Sequence, residues 1–180
     1  MSLQEHFKLL ANYNEWMNVK VYDASAALSA PELICDRSAF FKSILGTLNH
    51  IAVGDTIWLQ RFAEHPSCKS TLKPILEKPK PTNLDRLLFS DLSQLCEFRR
   101  WLDKIIVKWV SNLNEQDLYY TLSYKNMKDI PACRQYSSLM LHFFNHQTHH
   151  RGQVTTLLTQ AGQDVGVTDL LALIPDNHHA

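Results

Sequence analysis

The strongest constraint on what this chain can fold into is the segment from Leu139 to Ala161, where Leu139, Phe143, Val154, Leu157 and Ala161 recur at helical spacing and define one apolar stripe. A stripe of that length needs a core to face. His146 and His150 fall inside it, whereas rotation by about 100° per residue puts His142 and His149 on its edge and Arg151 away from its centre. Two imidazoles in the spacing H-x-x-x-H can converge on one ion. The spacing alone is weak evidence, since nine histidines in 180 residues give roughly 0.4 such pairs by chance. Position in the stripe is the stronger argument. Two neutral imidazoles on consecutive buried turns must each find a partner or lose about 1–3 kcal/mol, and a shared metal satisfies both acceptors. Gln147 stands where a zinc-protease helix carries its general-base Glu, which excludes the H-E-x-x-H reading.

Five glycines and long segments of helix-favouring composition predict an all-α fold. A first helix is expected over about 3–28, ended by Ser29-Ala30-Pro31, and a second over about 40–64. A third should begin near Asn83 or Ser90 and run to Leu113; a fourth, over about 134–160, should stop at Gly162. Between the second and third, Pro66, Pro74, Pro79 and Pro81 among lysines indicate a long loop. Before the fourth, the aromatic stretch 118–124, a turn at 125–128 and a return over 130–133 predict a small hairpin. A chain of this length suits one domain, here 1–175, with 165–174 packed as a short turn and 176–180 as a disordered tail.

Eighteen basic side chains balance eighteen acidic ones, and no Lys/Arg run supplies the charge footprint of a nucleic-acid or membrane binder. With no signal pattern at the start and no long apolar span, a cytoplasmic location is expected. Cys35, Cys68, Cys96 and Cys133 are scattered, as suits reduced thiols. Walker loops, dinucleotide fingerprints and serine elbows are absent. The remaining chemistry lies with polar residues on helices. His50 groups with Thr47, Gly54 and Ile57, away from the centre of the second helix's apolar face, so periodicity leaves it open as a surface residue or a ligand. Asp55 falls near the middle of that face, where a carboxylate needs a positive partner or hydrogen-bond donors. The asparagines of the 12–18 cluster are expected to bond a neighbouring helix.

Tyr13-Asn14-Glu15-Trp16 with Asn18, Leu48-Asn49-His50-Ile51 with Asp55 and Trp58-Leu59, and Asn145-His146 through His149-His150-Arg151-Gly152-Gln153 together resemble the DinB/YfiT-like family of four-helix-bundle metalloenzymes. The likeness runs over nearly the whole chain. It implies an up-down-down-up four-helix bundle and a divalent metal ion, nickel or zinc, held by His50, His146 and His150. Three imidazoles leave a position for water or substrate. The implied function is a metal-dependent S-transferase of low-molecular-weight thiols acting on a small electrophile; a metal-dependent hydrolase and a non-catalytic metal- or ligand-binding bundle are the alternatives. A homodimer is also implied, with Trp101 and Trp109 adding to the apolar face. Around the ion, Gln153 is expected to orient a bound water or substrate, and Asp55 to accept a proton from a ligand imidazole or pair with Arg151. Tyr13, Trp16 and Trp58 are expected to wall the substrate cavity, and none of the four cysteines is required.

Overall fold

Three of the four long helices start where a side chain takes up a free backbone N–H, the last being the exception, in a computed structural model that describes residues 2–176. At α1 (Leu3–Ala26), the Ser2 hydroxyl accepts from the Glu5 amide while the Glu5 carboxylate accepts from the Ser2 amide, a reciprocal capping box. The short α2 (Ala30–Ile34) follows, entered through Pro31. α3 (Ile44–Phe62) is capped by Ser43, whose hydroxyl accepts from the Gly46 amide. A short α4 (Lys73–Leu76) interrupts the proline-rich stretch expected to be loop. α5 (Leu92–Asn112) begins near Ser90, the later of the two expected starts, but the cap is Asp91, which has the extended backbone of a cap and whose carboxylate accepts from the Gln94 amide. α6 (Tyr136–Gln160) ends just before Gly162, whose φ of 78° suits glycine.

The expected hairpin is present. β1 (Thr121–Lys125) pairs antiparallel with β2 (Pro131–Gln135), Ser123 opposite Cys133, and the Asn126 side chain closes the turn by accepting from the Lys128 and Ile130 amides. Among the described residues these are the only named strands, so the fold is mostly helical.

α1 lies against α5 and α6, and α3 against α6 and α5. Gln4 reaches the Leu113 carbonyl, while Asn14 and Asn18 reach Asp103. On the other side Phe62 meets Phe143, Trp58 meets His142, and Phe7 meets Phe144. At the base of the core the indole of Trp109 donates to the Tyr136 hydroxyl at 3.0 Å, with the Cys68 thiol 3.1 Å from the same oxygen. Trp109 is therefore interior and offers no face to a second copy, contrary to the reason given for dimerisation; Trp101 is half-buried against the core.

α3 is covered on nearly all sides, which its sequence periodicity did not indicate. The cause is a layer of short elements laid over it: α2, α4 and the 84–89 segment. Asn49 fastens that segment by accepting from the Leu88 and Phe89 amides and donating to the Phe89 carbonyl. The tail settles on α1, where the Tyr13 hydroxyl donates to the Thr168 carbonyl and Lys20 to that of Val167. Apart from Asp176, the tail expected to be disordered lies outside the described residues. No helix among the described residues is long and apolar enough to cross a membrane.

Candidate metal centre

α6 carries His146 and His150 one turn apart, and α3 brings His50 to them across the helix interface. The His50 Nε2 lies 3.2 Å from Nε2 of His146 and 3.1 Å from Nε2 of His150. The other ring nitrogens decide what these atoms can do. His50 Nδ1 sits 2.8 Å from the Leu84 carbonyl and His150 Nδ1 sits 2.8 Å from the Gln153 side-chain oxygen, acceptors that require each Nδ1 to carry its hydrogen. In the neutral rings both Nε2 atoms are then bare lone pairs. Two such acceptors in contact repel one another unless a cation lies between them. An ion with tetrahedral donors at about 2.0–2.1 Å holds its nitrogens about 3.3–3.4 Å apart, close to the separations seen. The donor set fits a divalent metal ion, and the three ligand nitrogens lie within 4.8 Å of one another.

Burial pushes the imidazoles of His50, His146 and His150 below their ordinary range. His146 goes down to about 3, helped by the neighbouring His150 and His50. They are thus held in the neutral form that binds metals. Local packing fixes the rings. A Cβ added at Gly54 would lie 2.8 Å from Cε1 of His146, so the bare backbone of α3 makes the space this ring occupies. Phe41, from the segment leading into α3, stacks on His50 with centroids 3.8 Å apart and planes 16° from parallel, and turns toward His150 at 5.6 Å. The left-handed backbone of Lys42, at φ 66°, lets the Phe41 carbonyl come down against Gly46, where a side chain would collide.

The other residues singled out in the sequence take different places. Asp55 pairs with neither Arg151 nor an imidazole. It is held by Arg99 and by the Gln147 amide at 2.8 Å, and Arg99 reaches on to Asp103 at 3.0 Å. Asp103 in turn accepts from Asn14 at 3.1 Å and Asn18 at 2.9 Å, the helix-to-helix role expected of the asparagine cluster. Arg151 is buried rather than turned from the core, donating to the Asn14 side-chain oxygen and lying over the Tyr13 ring. A stripe drawn from apolar residues misses side chains that are buried because they are paired. Arg99 had a legible signal, since it stands on the same stripe as Leu95, Leu102 and Ile106.

The Gln153 side-chain oxygen bonds a ligand candidate, His150. Of the three aromatic residues assigned to a cavity, Trp58 lines one of about 560 Å³ together with Gly54, His142 and His146. Tyr13 and Trp16 instead pack against each other near the tail, 6.0 Å between centroids. His142 packs edge-on to Trp58, and His149 stands beside His150, both outside the trio.

The arrangement defines a class: a mostly helical protein in which two helices bring three neutral imidazoles to one point and so can hold a metal ion. The sequence model of the DinB family matches residues 1–177, and the chain belongs to that family. Protein DinB of Bacillus subtilis (strain 168) is 25% identical over 167 residues, covering 91% of this chain and 90% of that protein. No solved structure matches significantly.

Proposed function

We propose that His50, His146 and His150 hold one divalent ion, nickel or zinc, and that the protein is a metal-dependent transferase of low-molecular-weight thiols. The observation that carries the metal reading is the pair of bare Nε2 lone pairs 3.1 Å apart on His50 and His150, each tautomer set by a partner on its other nitrogen. When bound, the ion supplies Lewis acidity at an open position, favouring the deprotonated form of a thiol or water. The chain's own residues do the rest. The Leu84 carbonyl and Gln153 orient two rings, Phe41 shields the face of His50 from water, and Trp58 and His142 wall the space an electrophile would enter. None of the four cysteines is in the trio or lines that cavity, so the attacking sulfur comes from a co-substrate. The thiol's proton passes to solvent, the new S–C bond forms as the bond between that carbon and the leaving group breaks, and the leaving group departs with its electron pair.

The family likeness and the residue pairings also support an up-down-down-up bundle of α1, α3, α5 and α6, forming one domain over 1–175. Gln4 with Leu113 and Asn18 with Asp103 fit opposed α1 and α5; His50 with His150 and Phe62 with Phe143 fit opposed α3 and α6; Phe7 with Phe144 and Asn14 with Arg151 fit a shared direction for α1 and α6. A cytoplasmic homodimer completes the reading, and the exposed Phe40 and Ile34 offer apolar surface for the contact.

Elemental analysis of tag-free protein tests the metal, with one divalent ion per chain expected. Stripped protein is then reloaded separately with zinc, nickel or manganese while a thiol and a chlorinated aromatic acceptor are followed. Metal-dependent thiol consumption supports the transferase. Hydrolysis alone would move the assignment to a hydrolase, and metal without turnover to a binding bundle. Protein that takes up no ion overturns the reading.

A further inference from the structure

Two cavities flank α3 on the side of the hairpin. The inner one, about 560 Å³, reaches Gly54 and His146; the outer one, about 890 Å³, lies between α3, β1 and β2. Ile57 and Arg61 line both, so the two adjoin at the Arg61 guanidinium. That group lies 4.7 Å over the Trp58 ring and 5.2 Å from the Tyr124 ring, flanked by two aromatic faces. Its Nε is buried with no hydrogen-bond partner, and no ion pair among the described residues includes it. Arg99 and Arg151 differ in that oxygens of the chain engage their terminal nitrogens, although the Arg99 Nε is without a partner too.

The surroundings share its sign. Arg61 and Lys128 line the inner cavity without any carboxylate, and the outer one adds Lys78, Lys80 and Lys125 against Glu64 alone. The chain carries no net charge, so this excess is local.

We propose that Arg61 anchors the carboxylate of a small organic acid whose apolar body lies along Trp58 toward His146. A guanidinium presents parallel N–H donors that match two carboxylate oxygens, and its planar edge is what two flanking rings leave free. Gly54, against which His146 packs, and Arg61 are two helical turns apart, about 10 Å along α3. That spacing suits a substituted aromatic or arylalkyl acid, and a cavity of this size suits a small molecule. The proposal rests on the metal reading only for what the far end of the ligand meets.

The test is calorimetric titration of 3-phenylpropionate and its uncharged amide into zinc-loaded and stripped full-length protein, in wild type and R61Q. The acid is expected to bind at least tenfold more tightly than the amide in wild type, with that preference lost in R61Q. Equal binding of acid and amide, no binding of either, or a preference that survives in R61Q overturns the proposal. If R61Q does not fold, the Arg61 Nε–H resonance of wild type decides: it shifts with the acid and not with the amide, or the proposal fails. Zinc content measured on the same samples separates the two readings. Stripped or metal-refusing protein that still prefers the acid keeps the anchor, whereas zinc-loaded protein without the preference loses the anchor alone.

Discussion

α3 and α6 contribute to two polar clusters, one of them completed by α5, and the clusters obey opposite rules. On α6 each histidine of the trio is followed at once by a core polar residue, His146 by Gln147 and His150 by Arg151, so one helix serves both. The Asp55, Arg99 and Asp103 cluster brings its own opposite charges, with Asp55 wholly buried at 0% exposure and Arg99 at 2%. The histidine cluster instead turns acceptors toward acceptors. The first is balanced in charge by the protein's own groups, although Asp55 Oδ1, Arg99 Nε and Gln147 Oε1 have no hydrogen-bond partner, whereas the second presents lone pairs that a cation could separate. Burial of polar groups is therefore not by itself a mark of a binding site; the sign of what faces what decides it.

If that contrast is right, the two clusters respond differently to the same treatment. Arg99→Leu strands two buried carboxylates and should destabilise the fold by about 3–5 kcal/mol whether or not metal is present, measured by urea unfolding. His146→Ala should leave metal-free stability much closer to wild type but abolish the gain on adding zinc. That gain is about 2.7 kcal/mol for wild type at a hundredfold excess over Kd, read as a shift in Tm. An equal zinc-induced shift in the variant would merge the two regions. Gly54→Ala sharpens the comparison by splitting the signs. The new methyl must displace the His146 ring, so zinc affinity should fall about tenfold. Yet alanine is the better helix former by about 0.5–1 kcal/mol, which limits the loss of metal-free stability. The mildest effect is with pH. Folded-state imidazole values lie below the ordinary 6.5, His146 at about 3, so the unfolded chain binds more protons in acid. The stability of metal-free protein tied to these groups is complete above pH 6.5 and falls as pH drops toward 3. Replacing all three histidines with glutamine should flatten that part of the curve in equilibrium unfolding.

The sequence reached these clusters unequally. Leu139, Phe143, Val154 and Leu157 make a stripe that any core would bury, and His146 and His150 stand out because they fall inside it. His50 lies away from the centre of the apolar face that periodicity assigns to α3, and the short elements that cover that side are not visible in the periodicity; only the family likeness points to it. Asp55 announced its need for a partner, but Arg99 lies 44 residues away and nothing local links them. Periodicity weighs side chains by polarity and so sets Arg151 off the core, whereas pairing with Asn14 makes polarity compatible with burial. The Leu84 carbonyl that sets the His50 tautomer is a backbone atom, for which no residue type is a signal.

Gly46 has a different kind of consequence. It sits in the first turn of α3, is only half-buried and has no side chain with which to bind a metal, so by the usual criteria of mutational tolerance it should accept many residues. The Phe41 carbonyl occupies the place of its missing Cβ, and the obstacle is backbone rather than a side chain that could swing aside. Every substitution there moves the loop that lays Phe41 on His50. In a saturation scan selected for metal retention, position 46 should be as restricted as a ligand position, although its residue has no side chain with which to bind anything.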